Sequence, residues 1–173
     1  LSKVYKRNSA LFTITEILDI AVKIEKNGET IYRSAMEKIP VPSLVPLLEW
    51  IANEEANHAQ WFSNLKQKTE TNVENPFGQD IPHNMLNDII GDQSFSLKEI
   101  DFSQVDNIED LINIFIEFEK DSVLFYEMLQ TFIQSEETLL QLDQIIAEEK
   151  RHIERLREFV ENPSKIEKLT FST

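Results

Sequence analysis

Four stretches of the chain repeat core-type residues at alternating intervals of three and four, the spacing that gathers side chains onto one stripe of an α-helix. The first stripe reads Leu18, Ala21, Glu25, Gly28, Tyr32, Ala35, and the second Leu48, Ile51, Glu55, His58, Phe62, Leu65. The third reads Ile112, Phe115, Glu119, Ser122, Tyr126, Leu129, and the fourth Leu142, Ile145, Glu149, His152, Leu156, Phe159. Polar residues interrupt all four stripes at corresponding steps. The pattern predicts four amphipathic helices whose inward faces carry glutamate, histidine and tyrosine.

Local signals set the ends. Thr13 and Glu16 form a capping box for a first helix from about Ile14 to Met36, which Pro40 and Pro42 stop. Ser43 is placed as the cap of a second helix running to about Lys68. Its Pro46 falls in the first turn, where a missing amide hydrogen does little harm. A third helix should begin near Asp106, three residues before Glu109, and end around Ile133; Ser135 then caps a fourth that Pro163 closes. Two helical hairpins result. Between them lie 36 residues, 70–105, rich in Asn, Asp and Ser. A connection that long needs an architectural reason, and a crossover along the bundle, roughly 36 Å for a helix of about 24 residues, supplies one. The segment Ile81 to Ile90 is read as a short helix on the way. The fold class is all-α: a four-helix bundle of two hairpins joined by a long crossover.

Length and composition narrow the picture. A chain of 173 residues suits one domain, with its core over about 14–160, and three glycines with six prolines give little support to β structure. The formal charge of −14 makes nucleic acid a poor partner and repels anionic membranes. There is no cysteine, which removes thiolate chemistry, iron–sulfur clusters and a rubredoxin-type iron site from this chain. Glu16 and Asp19 interrupt the first apolar stretch, so neither a signal peptide nor a membrane span is expected, and the default location is cytoplasmic.

The stripes also repeat each other. One offset, 94 residues, separates Glu25 from Glu119, Tyr32 from Tyr126, Glu55 from Glu149 and His58 from His152. A single Glu-x-x-His is weak, because an acidic helical protein produces it by chance. Two copies, each with a seam glutamate thirty residues upstream, are specific. Four carboxylates in one low-dielectric core repel each other and resist ionisation, whereas two divalent cations balance their charge. Within each Glu-x-x-His the side chains diverge by about 60° and 4.5 Å, so both reach a metal on the bundle axis. The candidate metal ligands are therefore Glu25, Glu55, His58, Glu119, Glu149 and His152. Tyr32 and Tyr126 lie about 10 Å beyond the glutamates of their own helices, where each hydroxyl is expected to hold a ligand carboxylate of a neighbouring helix. Gly28 and Ser122 have two readings: space beside the metals for water, oxygen or peroxide, or a close helix–helix contact. His83 has no repeated partner and is read as a surface residue.

With these residues in hand, the chain resembles the ferritin-like superfamily, and most of all its rubrerythrin-like branch. Residues 24–32 with 54–58 resemble that family's first hairpin, and residues 118–126 with 147–153 its second. The resemblance implies a non-haem di-iron site with Glu55 and Glu149 bridging, Glu25 and Glu119 terminal, and His58 and His152 as nitrogen ligands. It further implies an oxidoreductase of the peroxidase or oxidase kind, reacting with H2O2 or O2 in defence against oxidative stress. Rubrerythrins proper carry an extra glutamate one turn after the third helix's first ligand, where this chain has Ser122. They also usually carry a rubredoxin domain, so here the electrons should come from a separate donor protein. The alternative is an iron-binding or ferroxidase-type iron-handling protein without turnover, and a third reading is an interaction module keeping the ligands as a relic. Two iron ions are the expected cofactor, although manganese and zinc suit the same donors. The third helix is apolar beyond its stripe, at Leu111, Ile114, Ile116, Phe118, Val123, Leu124 and Phe125, which predicts a covered outer side and a homodimer.

Overall fold

Thr13 opens the first helix as its sequence predicts. Its Oγ1 accepts from the Glu16 backbone amide at 3.3 Å while its own amide donates to Glu16 Oε2 at 2.8 Å, a reciprocal capping box. The computed structural model describes residues 11–39, 41–71, 81–82 and 107–162. Within them lie α1 (Ile14–Lys38), α2 (Val45–Glu70), α3 (Ile108–Gln130) and α4 (Glu136–Glu161), with two-residue strands β1 (Leu11–Phe12) and β2 (Ile81–Pro82). Ser135 caps α4 by accepting from the Thr138 amide.

Four expected details change. Ser43 does not cap α2: residues 42–44 form a turn, the Leu44 amide donates to the Val41 carbonyl, and buried Leu44 takes the cap position without a side-chain bond. Asn107 caps α3 through its Oδ1 and the Asp110 amide, one residue after the expected Asp106, which lies outside the described residues. That helix also stops three residues before Ile133, where the amides of Thr131, Phe132 and Ile133 each donate three residues back and tighten the chain into turns. Ile81 and Pro82 pair antiparallel with Phe12 and Leu11, so the predicted short helix does not begin there; its remainder, with His83 and Pro163, lies outside the described residues.

All four stripes point inward. Each of their 24 residues is buried, the apolar ones within a single core. Each large apolar side chain so buried contributes about 1.5–3 kcal/mol relative to exposure. Of the seven apolar residues that extend α3 beyond its stripe, five are buried, leaving Ile114 and Leu124 exposed. No helix among the described residues is long and apolar enough to cross a membrane.

Contacts between helices fix their directions. The Lys66–Asp19 ion pair at 2.6 Å brings the end of α2 to the start of α1. Tyr32 of α1 reaches Glu119 of α3 and Tyr126 of α3 reaches Glu25 of α1, so these helices run antiparallel. The start of α3 consequently lies at the end of the bundle opposite to where α2 finishes, a helix length of about 39 Å for 26 residues. The result is a four-helix bundle of two hairpins.

Candidate metal centre

Midway along the bundle the polar interruptions of the four stripes meet. Glu25, Glu55, His58, Glu119, Glu149 and His152 are all at most 3% exposed. They form two sets, Glu25, Glu55, His58, Glu149 and Glu55, Glu119, Glu149, His152, each with one potential ligand atom per residue and all those atoms within 4.8 Å of one another. Glu55 and Glu149 belong to both sets; the other four residues belong to one each. Helical geometry explains this: α2 and α4 each supply a Glu-x-x-His pair, while α1 and α3 each supply a single glutamate.

The surrounding bonds orient the donors. His58 Nε2 lies 2.8 Å from Glu148 Oε2, and His152 Nε2 lies 2.8 Å from Glu54 Oε2. Glu148 is held below its ordinary pKa, first by its bond with His58, and an ionised carboxylate only accepts. The Nε2 atom of His58 must therefore be the donor. Its Nδ1 is turned into the cluster, 2.8 Å from Glu149 Oε1, and so is Nδ1 of His152, 3.1 Å from Glu149 Oε2. Tyr32 donates to Glu119 Oε1 and Tyr126 to Glu25 Oε1. Burial, and next the adjoining carboxylate, push both phenols well above their ordinary range, so they remain donors. Each tyrosine thus bonds a glutamate of a neighbouring helix.

Electrostatics shows what these side chains lack. Burial is the largest cause raising Glu25, Glu55 and Glu119, with the charge of Glu149 next, and Glu119 is pushed up to about 8. Glu149 goes the other way: the charge of His58 and the bond with His152 overcome its burial and hold it below the carboxylate range. Both histidines are raised well above theirs, because neighbouring carboxylates outweigh burial, Glu149 and Glu25 for His58 and Glu119 for His152. Protons thus balance the charge of the cluster. Even so, Glu25 Oε2, Glu55 Oε1, Glu119 Oε2, Glu149 Oε1 and His58 Nδ1 are buried without a hydrogen bond. Buried polar atoms without a hydrogen bond are costly, and all five are metal-ligand atoms facing one another. The donor set fits a pair of cations.

Comparison with known proteins agrees with this chemistry. The family model for rubrerythrin matches residues 16–160. The chain belongs to the rubrerythrin family. Among solved structures it resembles a protein of Thermotoga maritima, provisionally described as ferritin-like and diiron-carboxylate, at 21% identity and TM-score 0.64, covering 89% of this chain and 98% of that one. It also resembles a hypothetical protein of Pyrococcus furiosus at 23% identity and TM-score 0.63, covering 87% and 89%. Both likenesses concern the fold. None of the curated proteins compared matches the chain.

In this rubrerythrin-family bundle Gly28 has a specific task. A Cβ there would lie 2.4 Å from Glu55 Oε2 and 3.0 Å from Phe118 Cε1. The missing side chain makes room for a carboxylate shared by both sets, which neither reading of the sequence anticipated. At the matching position Ser122 turns its hydroxyl back to the Phe118 carbonyl at 3.2 Å. Glu54, Glu148 and Trp50 were not among the predicted site residues. The signal for the first two was available, since they too are 94 residues apart and precede the predicted ligands directly.

Proposed function

We propose that this chain is a di-iron oxidoreductase that reduces H2O2, or O2, with electrons from a separate donor protein, as part of oxidative-stress defence. The observation that carries the reading is the set of five buried ligand atoms that face one another at the centre of the bundle without a hydrogen bond. Membership of the rubrerythrin family supports peroxide as the oxidant. In this reading Glu55 and Glu149, common to both sets, would hold both iron ions, and Glu25 with His58, and Glu119 with His152, would each hold one.

When bound, a pair of ferrous ions supplies the two electrons that, with two protons, take H2O2 to two waters. The chain's own residues prepare the place. Tyr126 and Tyr32 fix one oxygen each of Glu25 and Glu119, leaving the other free to ligate. Glu148 and Glu54 fix the imidazoles by their Nε2 atoms, so that Nδ1, turned into the cluster, would be the atom offered to a metal. The same two carboxylates are partly exposed, 33% and 21%, and connect the buried rings to solvent. Gly28 keeps Glu55 unobstructed.

The test is anaerobic reconstitution with Fe(II), followed by absorption spectra before and after peroxide. The expected result is about one peroxide consumed per two ferrous ions, with ferric bands appearing. Both should be lost in Glu55→Ala and Glu149→Ala, and consumption should continue when a reductant is supplied. Diferrous protein inert to peroxide and oxygen would overturn the proposal. Uptake of iron without sustained consumption would favour an iron-handling protein instead.

A further inference from the structure

The correspondence between the two hairpins ends at the outer edges of the imidazoles. Trp50 meets the His152 ring edge-on, with centroids 5.1 Å apart and planes at 90°. It stands one helical turn before Glu54, whose carboxylate lies 2.8 Å from His152 Nε2, so indole and carboxylate flank the same ring from neighbouring positions on α2. The offset of 94 places Gln144 in the corresponding position on α4, and Gln144 is exposed to solvent. Exposure follows the same order. His152 is 0% exposed against 3% for His58, and the Glu54 side chain 21% against 33% for Glu148.

We propose that Trp50 makes the two halves of the centre kinetically unequal: an ion held through His152 is shielded by the indole, and an ion held through His58 exchanges with solvent past Glu148. The inference rests on the reading of the site as a two-metal centre. Its physical basis is access. An ion leaves when water or a competing ligand reaches the metal–imidazole bond as it opens, and an apolar wall against the ring denies that approach. Ligand chemistry cannot produce the difference, because the two ligand sets have the same composition. Trp50 is a positioning and shielding residue that touches the ligand and not the reacting atoms.

Protein loaded with two equivalents of zinc(II), a redox-inert ion suited to these donors, is mixed with a chromogenic chelator and metal release is followed by absorbance. Two phases of equal amplitude are expected, separated by about 10-fold or more in rate. Trp50→Ala should accelerate the slow phase to match the fast one, with helix content unchanged by circular dichroism. Gln144→Trp, on an exposed position that tolerates change, should slow the fast phase, and it decides the matter if Trp50→Ala does not fold. Release of both ions in one phase, a slow phase that survives in folded Trp50→Ala, or a fast phase unaltered in Gln144→Trp would overturn the inference. A protein that binds no second zinc ion would overturn the two-metal reading as well, whereas two bound ions released equally would remove only the role of Trp50.

Discussion

The glutamates and histidines of the centre and the groups bonded to them correspond between hairpins α1–α2 and α3–α4, while the side chains packed around them do not. Tyr32 reaches Glu119 as Tyr126 reaches Glu25, and His58 meets Glu148 as His152 meets Glu54, so each of these four bonds has a twofold counterpart. The aromatic neighbours break the relation. Phe115 packs edge-on against Tyr32 at 4.9 Å, whereas Phe62 packs against Tyr126 at 5.0 Å; Trp50 meets His152, and an exposed glutamine replaces it in the other half. The contrast shows where the constraint lies. Charge balance around two cations fixes residue type at the axis, but packing one layer out asks only for volume and apolarity.

The largest expected effect comes from residues common to both ligand sets. Glu55→Ala and Glu149→Ala should each reduce bound metal from two ions towards none, measured by metal analysis, and by nearly equal amounts. At free metal one hundred times the dissociation constant this removes about 2.7 kcal/mol of the stability that binding gives. Glu25→Ala and Glu119→Ala, each belonging to one set, should leave one ion bound. If Glu55→Ala were to keep an ion that Glu149→Ala loses, the twofold description of the centre would fail.

Removing the metal should next reveal how much the cluster depends on protons. Glu25, Glu55 and Glu119 have raised folded-state values, as do both histidines, so the folded metal-free protein retains protons that the unfolded chain has released. The histidine contribution is fully present below the unfolded value of 6.5 and is lost as pH rises through the folded one. For Glu119 the loss runs from 4.5 to about 8. Metal-free protein should therefore melt at a lower temperature at pH 8 than at pH 6.5. Glu149 acts oppositely, but only as the solution becomes more acidic than 4.5. The zinc-loaded form should reverse the trend, because cations displace these protons and bind more tightly as pH rises. A metal-free melting temperature that climbs from pH 6.5 to 8 would contradict this account.

The two tyrosines offer a finer comparison. Tyr32→Phe and Tyr126→Phe each leave one ligand oxygen without its donor, and metal affinity should fall about 10-fold in each, by competition with a chelator. Similar losses are expected although their ring neighbours differ, since the hydroxyl bond is common to both halves. Unequal losses would mean that Phe115 or Phe62 matters more than the hydrogen bond.

How much of this was legible follows from range. The stripes were legible because burial follows helical period, and every stripe residue is buried. The residues that meet at the bundle axis stand out in the sequence because the repeat names them twice. Helix ends were less so: whether Ser43 or Leu44 opens α2 depends on a turn stabilised by burying Leu44, which no capping preference contains. The pairing of Ile81–Pro82 with Leu11–Phe12 joins segments about seventy residues apart and leaves no local trace. Trp50 stands outside the α2 stripe, and its partner ring belongs to α4, so its place could be seen only once the hairpins were together.

The smallest difference tests that boundary at matching positions of α1 and α3. Gly28→Ala puts a methyl carbon 2.4 Å from Glu55 Oε2, and Phe118 at 3.0 Å blocks retreat on another side. Alanine's better helix propensity would favour the variant by about 1 kcal/mol, but forcing a carbon into a packed core costs about 1–3 kcal/mol, so a modest net destabilisation should appear in urea unfolding. Its larger mark should be weaker metal binding, because Glu55 must move. Ser122→Ala removes only a hydroxyl already bound to its own helix, and should change stability by less than about 0.5 kcal/mol with metal binding intact. Equal, small effects at both positions would mean that Glu55 can find another rotamer, and that the glycine serves the helix contact with Phe118 and not the metal centre.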